Sequence, residues 1–406
     1  MFFKLAWRNT FKNKKRTIIA GTAIGLGIAF MMFYDGMMEG MTDNMYSAAT
    51  ELFTGHAQIH NAKFRESYDA EYTVENYRDV VSRLESDPVV KDFTERTMTY
   101  GMITSSSNVN SVTVVGIVPE TERNVSKIDD AITEGSFFEG KDKRPIVIGA
   151  KLAELLDVKL GDRIVVTCTD AHTGDLAQEM FRISGIYDIG DRTFNSMFAF
   201  IPIEKAQSML GIGDNIHEIA IEFDNYSYAL NDSIPFWNEF SQGQNKAISW
   251  TVIMSSLMSA MSMADLGLAV VGGILFVLIA LLVWNTLFMS LYERIYEFGV
   301  LKALGTRPFN LAKLMMFEAI SLGFVSMIIG IIIGILLFVL TNITGLNFGG
   351  TEFAGVTIRE PVYPVMHLYQ FIIYPLLVLL GTIIISIYPA VYTARLNASE
   401  ALRRGF

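Results

Sequence analysis

The sequence predicts a membrane protein: four transmembrane helices plus a large α+β domain of two subdomains, inserted between helices 1 and 2. Three observations carry this. First, the chain of 406 residues is 51% hydrophobic and only 18% charged, with 28 Phe and 21 Met, too apolar for an ordinary soluble protein. Second, four runs lack charge: Thr17 to Tyr34, Leu266 to Tyr292, Ile320 to Ile343 and Pro361 to Ala394. About 20 such residues cross roughly 30 Å of hydrocarbon as a helix. Third, residues 43 to 262 mix short alternating runs with amphipathic ones, the pattern of strands and helices together.

The first span follows Lys12, Lys14, Lys15 and Arg16. No small-residue cleavage site follows it, so the segment is expected to stay as an anchor rather than be removed as a signal peptide. Within and after it, Gly21 and Gly25, and then Gly36 and Gly40, have the spacing that lets membrane helices approach closely. Basic residues crowd residues 1–16, the stretch 292–314 (Arg294, Lys302, Arg307, Lys313) and the end of the chain (Arg395, Arg403, Arg404), whereas Arg359 stands beside Glu352 and Glu360 in the loop between spans 3 and 4. The positive-inside rule therefore places these three basic segments in the cytosol and the insertion outside.

The insertion is acidic and offers no basic face for nucleic acid. GHAQIH alternates like a strand after Gly55, YRDVVSRLESDPVV reads as an amphipathic helix stopped at Asp87-Pro88, and MITSSSNVNSVTVVGIVP as a hairpin around Ser107-Asn108. A second set of strands and helices from about 120 to 215 reads as a module inserted into the first. The lone Cys168 lies in an apparent buried strand, RIVVTCTD. His56 and His60 share a strand at a spacing that suits metal binding only on a helix, so no metal is expected. No phosphate loop, zinc-protease motif or dinucleotide fingerprint is present, and no cofactor is expected in this chain.

Thr17 to Thr54 and Thr251 to Leu291 both keep helical spacing beyond the membrane thickness, each about 60 Å long at about 1.5 Å per residue, and are expected to form a stalk. Their methionines, Met31, Met32, Met38, Met41 and Met45 on one and Met254, Met258 and Met261 on the other, suit either a cavity adaptable to acyl chains or plain packing.

After the second span comes YERIYEFGVLKALGTRP, residues 292–308. Ile295, Phe298, Leu301 and Leu304 share one face, Glu293 and Glu297 another, Gly305 is a natural C-cap, and Pro308 prevents continuation. Two acids four apart repel unless a positive partner answers them. The segment therefore reads as a short cytosolic helix docked on another protein, with Glu293, Arg294, Glu297, Phe298, Gly299, Leu301, Lys302 and Gly305 as its coupling residues, the alternative from the pattern being an interfacial helix resting on lipid.

Glu293 to Thr306 and Tyr388 to Arg403 resemble the signature segments of the FtsX-like, MacB-type ABC transporter permeases. TGHAQIH and VIGAKLAELLDVKLGDRIVV are similar to the LolC/LolE-type lipoprotein-releasing branch. The resemblance implies a multi-pass permease of the bacterial inner membrane with a MacB-type periplasmic core. It further implies dimerisation with a second permease subunit, two copies of a cytosolic ATPase that binds ATP and Mg, an acylated lipoprotein as substrate, and a periplasmic chaperone as acceptor. Two departures stand out: Ala398 replaces a usual Pro, leaving Asn397 to cap the last helix with Glu400, and Thr169 to Met180 is too short for a chaperone-catching loop.

The expected organisation is a cytosolic segment 1–16, span and stalk 17–54, periplasmic domain 55–250 with its inserted subdomain at about 120–215, stalk and span 251–291, coupling helix 292–312, span 313–343, periplasmic loop 344–366, span 367–394 and a cytosolic C-terminal helix 395–406. Two other functions fit the residues: a MacB- or FtsX-type mechanotransmission device for efflux or cell-wall hydrolase control, and a membrane-anchored sensor or binding module.

Overall fold

The computed structural model describes residues 6–9, 11, 12, 14–138, 144–347, 351–353, 356–358 and 361–403. Arg359, Glu360 and Arg404 lie outside the described residues, as do the side chains of Glu352, Glu400 and Arg403. The chain divides into two compact units.

In chain order, α1 (Lys14–Ala49) runs into a π-turn (Thr50–Thr54) that Gly55 closes at φ +71°. Then follow β1 (Ala57–Asn61), α2 (Phe64–Ser67), α3 (Tyr77–Leu84), β2 (Val90–Thr104), β3 (Val109–Ile117), α4 (Pro119–Val125), β4 (Ile132–Gly135), β5 (Pro145–Gly149), α5 (Ala150–Leu156), β6 (Arg163–Thr169), β7 (Leu176–Tyr187), α6 (Phe194–Met197), β8 (Phe198–Pro202), α7 (Ile203–Leu210), β9 (Glu218–Phe223), a 3-10 turn (Tyr226–Leu230), α8 (Pro235–Glu239) and β10 (Asn245–Ser249). The chain continues through α9 (Trp250–Ile253), α10 (Ser255–Glu293), α11 (Ile295–Ala303), α12 (Pro308–Thr344), the β11–β12 hairpin (Thr351–Phe353, Val356–Ile358), α13 (Gln370–Arg395) and α14 (Ala398–Arg403).

Among the described residues, four helices are long and apolar enough to cross a membrane: Lys14–Thr54 with its π-turn, α10, α12 and α13. Their shared core holds Ile24, Ile28, Met32, Ile279, Leu322 and Phe338.

The other unit is built on one sheet in the order β10-β1-β9-β2-β3-β8-β5-β7-β4, with β6 joining β2 and β7. The second set of strands thus extends the first sheet rather than forming one of its own. The physical reason is the length of β2, 15 residues, which pairs β9 with its first half and β3 and β6 with its second. One face packs α5 and α7 over Ile103, Val166, Phe181 and Ile183. Part of the other packs Phe53, Phe64, Tyr187 and Phe200.

Two expectations need adjustment. The first stalk helix runs on through its π-turn to Thr54, whereas the second is interrupted and starts at Ser255 because Met254 adopts φ −106°, ψ 51°. Burial of Trp250 in contact with the ring of Tyr46 fixes α9 as a separate turn. Finally, β1 is buried on both faces despite its alternation, since β9 and β10 flank it and α2 and the π-turn adjoin it.

Candidate functional site

The connection between α10 and α12 is shaped by Arg294. Its backbone leaves the helical region (φ −117°, ψ 14°), so α10 stops at Glu293 and α11 begins anew. Its Nη1 donates to Glu318 Oε1 on α12 at 2.5 Å, its Nε donates to Glu297 Oε2 at 2.8 Å, and the guanidinium lies 5.2 Å from the ring centre of Phe298. Asn9 Nδ2 donates to the same Glu318 oxygen at 3.0 Å. Glu318 is buried, and a buried carboxylate is tolerated only with such donors.

At the other end of α11, Lys302 Nζ donates to the carbonyls of Ala394 (3.0 Å) and Leu396 (2.6 Å), satisfying two of the orphan acceptors at the end of α13 and complementing its dipole. Gly305, at φ +87°, lets Thr306 N reach Leu301 O at 3.1 Å, and Pro308 then opens α12. Ile295, Phe298 and Gly299 are buried, with Phe298 in a core formed by Leu291, Leu311, Leu314 and Met315. Leu301 packs against the edge of that core. The helix is therefore clamped to both α12 and α13.

Two expectations are corrected here. Glu293 and Glu297 do not await an external cation: Arg16 pairs with Glu293, while Arg294 and Lys12 pair with Glu297. They also belong to different helices, because the backbone breaks between them. Arg294 and, to a lesser extent, Lys12 hold the Glu297 carboxyl below the usual range. Leu304, read as sharing one face with Ile295, Phe298 and Leu301, is 78% exposed while Ile295 and Phe298 are buried; α11 ends before it, so the three-residue spacing no longer carries it onto that face. The surface that remains open is aromatic and aliphatic: Tyr292, Tyr296, Leu304 and Phe309. Periodicity hid it, because these residues straddle two helix ends.

The glycines have definite neighbours. A Cβ on Gly25 would lie 3.0 Å from Gly330 N on α12, and one on Gly21 would lie 3.3 Å from Ile329 Cδ1. On Gly36 it would strike Phe338 and Val365 O at 2.6 Å, and on Gly40 the Tyr363 carbonyl oxygen at 2.0 Å. Val365 N donates to Gly36 O at 2.9 Å, which draws the strap before α13 against α1.

The methionines divide by environment. Met31 and Met32 are packed in the core of the long helices and Met45 is buried, whereas Met38, Met41, Met254, Met258 and Met261 are half-buried. His56, which stands just before β1 rather than in it, and His60 within β1 serve the fold: His56 Nδ1 accepts from Phe223 N at 3.0 Å, and His60 Nδ1 lies 2.8 Å from Asn61 O.

Sequence reasoning missed a buried charge cluster. Arg96 donates twice to Glu122 (2.9 and 2.6 Å) and once to Glu218 (3.0 Å), all three buried. It also missed Asp35, whose Oδ2 accepts from Tyr369 Oη and Gln370 Nε2, each at 3.0 Å. A charge at the end of an apolar run was the only signal for the latter.

Comparison with known proteins adds the following. Residues 17–228 match the MacB-like periplasmic core domain and residues 269–398 the FtsX-like permease C-terminal region. The chain is 21% identical to the lipoprotein-releasing system transmembrane protein LolE of Haemophilus influenzae over 98% of both chains. It is 24% identical to LolC of Xylella fastidiosa over 71% of this chain and 72% of that one. Among solved structures, the periplasmic region of MacB from Actinobacillus actinomycetemcomitans aligns at 14% identity with a TM-score of 0.35, covering 51% of this chain and 94% of that one.

Proposed function

The chain belongs to the family of FtsX-like permeases with a MacB-like periplasmic core domain, and from that premise we propose that it is a permease subunit that releases acylated lipoproteins. It is an ABC transporter permease with a periplasmic-type domain. The observation that carries the finer reading is the likeness to LolE along the whole length of both chains, membrane helices and external domain alike. In this reading the chain sits in the bacterial inner membrane, pairs with a second permease subunit and takes acylated lipoproteins from the outer leaflet. Two copies of a cytosolic ATPase supply the energy, binding the ATP and Mg that this chain does not bind. A periplasmic chaperone receives the product.

The 292–309 connection supports the assignment of the ATPase contact. An exposed apolar patch rimmed by paired charges is a protein-docking surface in kind. Its helix is tied to α12 by Glu318 and to α13 by Lys302, so a push on it reaches two spans at once. The half-buried methionines Met38, Met41, Met254, Met258 and Met261 are the side chains proposed to meet acyl chains.

The test is reconstitution of the chain, its ATPase and the second permease in vesicles loaded with a triacylated lipoprotein. ATP-dependent appearance of that lipoprotein on soluble chaperone is the expected result. ATP hydrolysis without release, but with activation of a cell-wall hydrolase or export of a small amphiphile, would favour the mechanotransmission alternative.

A further inference from the structure

The segment before α1 is folded against the cytosolic end of the helix bundle. Ala6 is buried in a core with Leu291, Phe298 and Leu311, and Asn9 reaches Glu318. Trp7 stands at the edge of that core, its ring centre 6.5 Å from that of Phe324 on α12 and 5.2 Å from that of Phe11, and all three rings are exposed. Exposed aromatic rings at the end of a membrane helix mark the boundary between headgroups and hydrocarbon. Arg16 meets Ser290 and Glu293 at the end of α10, so α1 begins at that same depth.

The charges at this end do not balance. Arg16 pairs with Glu293, Lys12 with Glu297, and Glu318 is answered by Arg294 and Asn9. Arg8, Lys14 and Lys15 are exposed, and none of these three carboxylates is left for them. Lys14 and Lys15 open the first turn of α1, which holds no acid. That turn already carries the positive end of the helix dipole and backbone N–H groups without helical partners, so two further cations are unfavourable there. An anion at this spot removes the conflict.

What lies above the cations selects the anion. Along α1, Lys15, Ile19, Leu26 and Phe30 follow at intervals of four, seven and four residues and share one face. Ile19 is 71%, Leu26 51% and Phe30 47% exposed, whereas Ile24 and Ile28 are fully buried on the side turned to the bundle. From Lys15 to Phe30 the helix rises about 22 Å at about 1.5 Å per residue, more than the roughly 15 Å of hydrocarbon in one leaflet. A soluble anion or an acidic protein surface would use the cations and leave this apolar track uncovered. An anionic lipid uses both, its phosphate on the lysines and an acyl chain on the track.

We propose that Arg8, Lys14 and Lys15 seat the headgroup of an anionic phospholipid of the cytosolic leaflet, one acyl chain of which lies along Ile19, Leu26 and Phe30. The seat is independent of which substrate the permease carries.

The probe is phosphatidylglycerol with a diazirine midway along one acyl chain, added to the full chain in nanodiscs of phosphatidylcholine. Illumination should label peptides within 17–30 at least tenfold more than the same diazirine carried on phosphatidylcholine, and unlabelled phosphatidylglycerol should compete. Lys14→Gln and Lys15→Gln should each cut that preference about fivefold and together erase it, while arginine at both positions should keep it. Both side chains are exposed, so these variants leave the core untouched. Added salt should weaken the preference, because exposed charges are screened. Equal labelling by the two lipids would mean an ordinary lipid annulus and overturn the seat, as would a preference that survives the double glutamine variant. Disulfides between copies bearing Ile19→Cys would overturn it by giving the track to a second copy. Loss of the preference on adding the ATPase, with loss of ATPase co-purification in the double glutamine variant, would overturn it by giving the cations to that protein.

Discussion

The guanidinium carbon of Arg96 lies 3.9 Å from the ring centre of Phe53. Phe53 belongs to the π-turn that ends the first long helix and is surrounded by Phe194, Phe198 and Phe200. Arg96 is at the middle of the sheet, held by Glu122 and Glu218. One buried cation thus pins the turn to the strand that organises the whole sheet. An isolated π-turn is often a functional feature, and here it is locked by tertiary contacts.

Replacing Arg96 with Met should destabilise the external domain by about 3–5 kcal/mol, because two carboxylates are left buried without their cation. Adding Glu122→Gln and Glu218→Gln should recover most of the loss. A cycle with Phe53→Leu should show a coupling of about 2 kcal/mol for the desolvated cation–π contact. Amide exchange along β2 reads all three.

His217 makes the same domain sensitive to acid. It is buried, its Nδ1 accepts from Met98 N at 3.1 Å and its Nε2 faces Ala70 O at 3.0 Å, and burial lowers its pKa to about 4. The unfolded imidazole titrates near 6.5. Since the folded state binds the proton less well, the contribution is present above about 6.5 and is lost as pH falls toward 4, on the order of 3 kcal/mol in all. Exchange of the Met98 amide should accelerate over that window, and in His217→Gln the acceleration should flatten.

Alanine at the glycines should destabilise the helix bundle in a set order: Gly40 most, Gly25 next, Gly21 least. At Gly40 the new Cβ meets a backbone carbonyl, at Gly25 a mixture of backbone and side chain, and at Gly21 the tip of Ile329. Overpacking of this kind costs about 1–3 kcal/mol where the neighbour cannot yield. Melting in detergent should reproduce the ranking; equal effects would mean the contacts relax freely.

At the cytosolic patch, Leu304→Asp should abolish co-purification with the ATPase by placing a charge in the exposed apolar surface, while leaving folding intact. Glu297→Gln should matter less, because an exposed pair contributes about 1 kcal/mol or less. The Glu297 pairs stabilise the junction above the usual carboxylate range and lose that contribution as pH falls through its depressed value. Reversed sensitivities in a pull-down would return the docking role to the acids.

The sequence by itself determined the four apolar helices, the inserted α+β domain, the β2–β3 hairpin at Ser107-Asn108 and the short helix closed by Gly305. Each follows from patterning over a few turns or strands, where hydrocarbon thickness, residue period and backbone freedom act locally. Tertiary structure alone decided which charges are spent internally. Arg16 finds Glu293, Arg294 finds Glu318 and Arg96 finds Glu122 and Glu218 across separations that no local rule links. It also turned Leu304 outward, joined both sets of strands into one sheet and left one end of that sheet uncovered, because burial belongs to the packed arrangement of elements and not to any one of them.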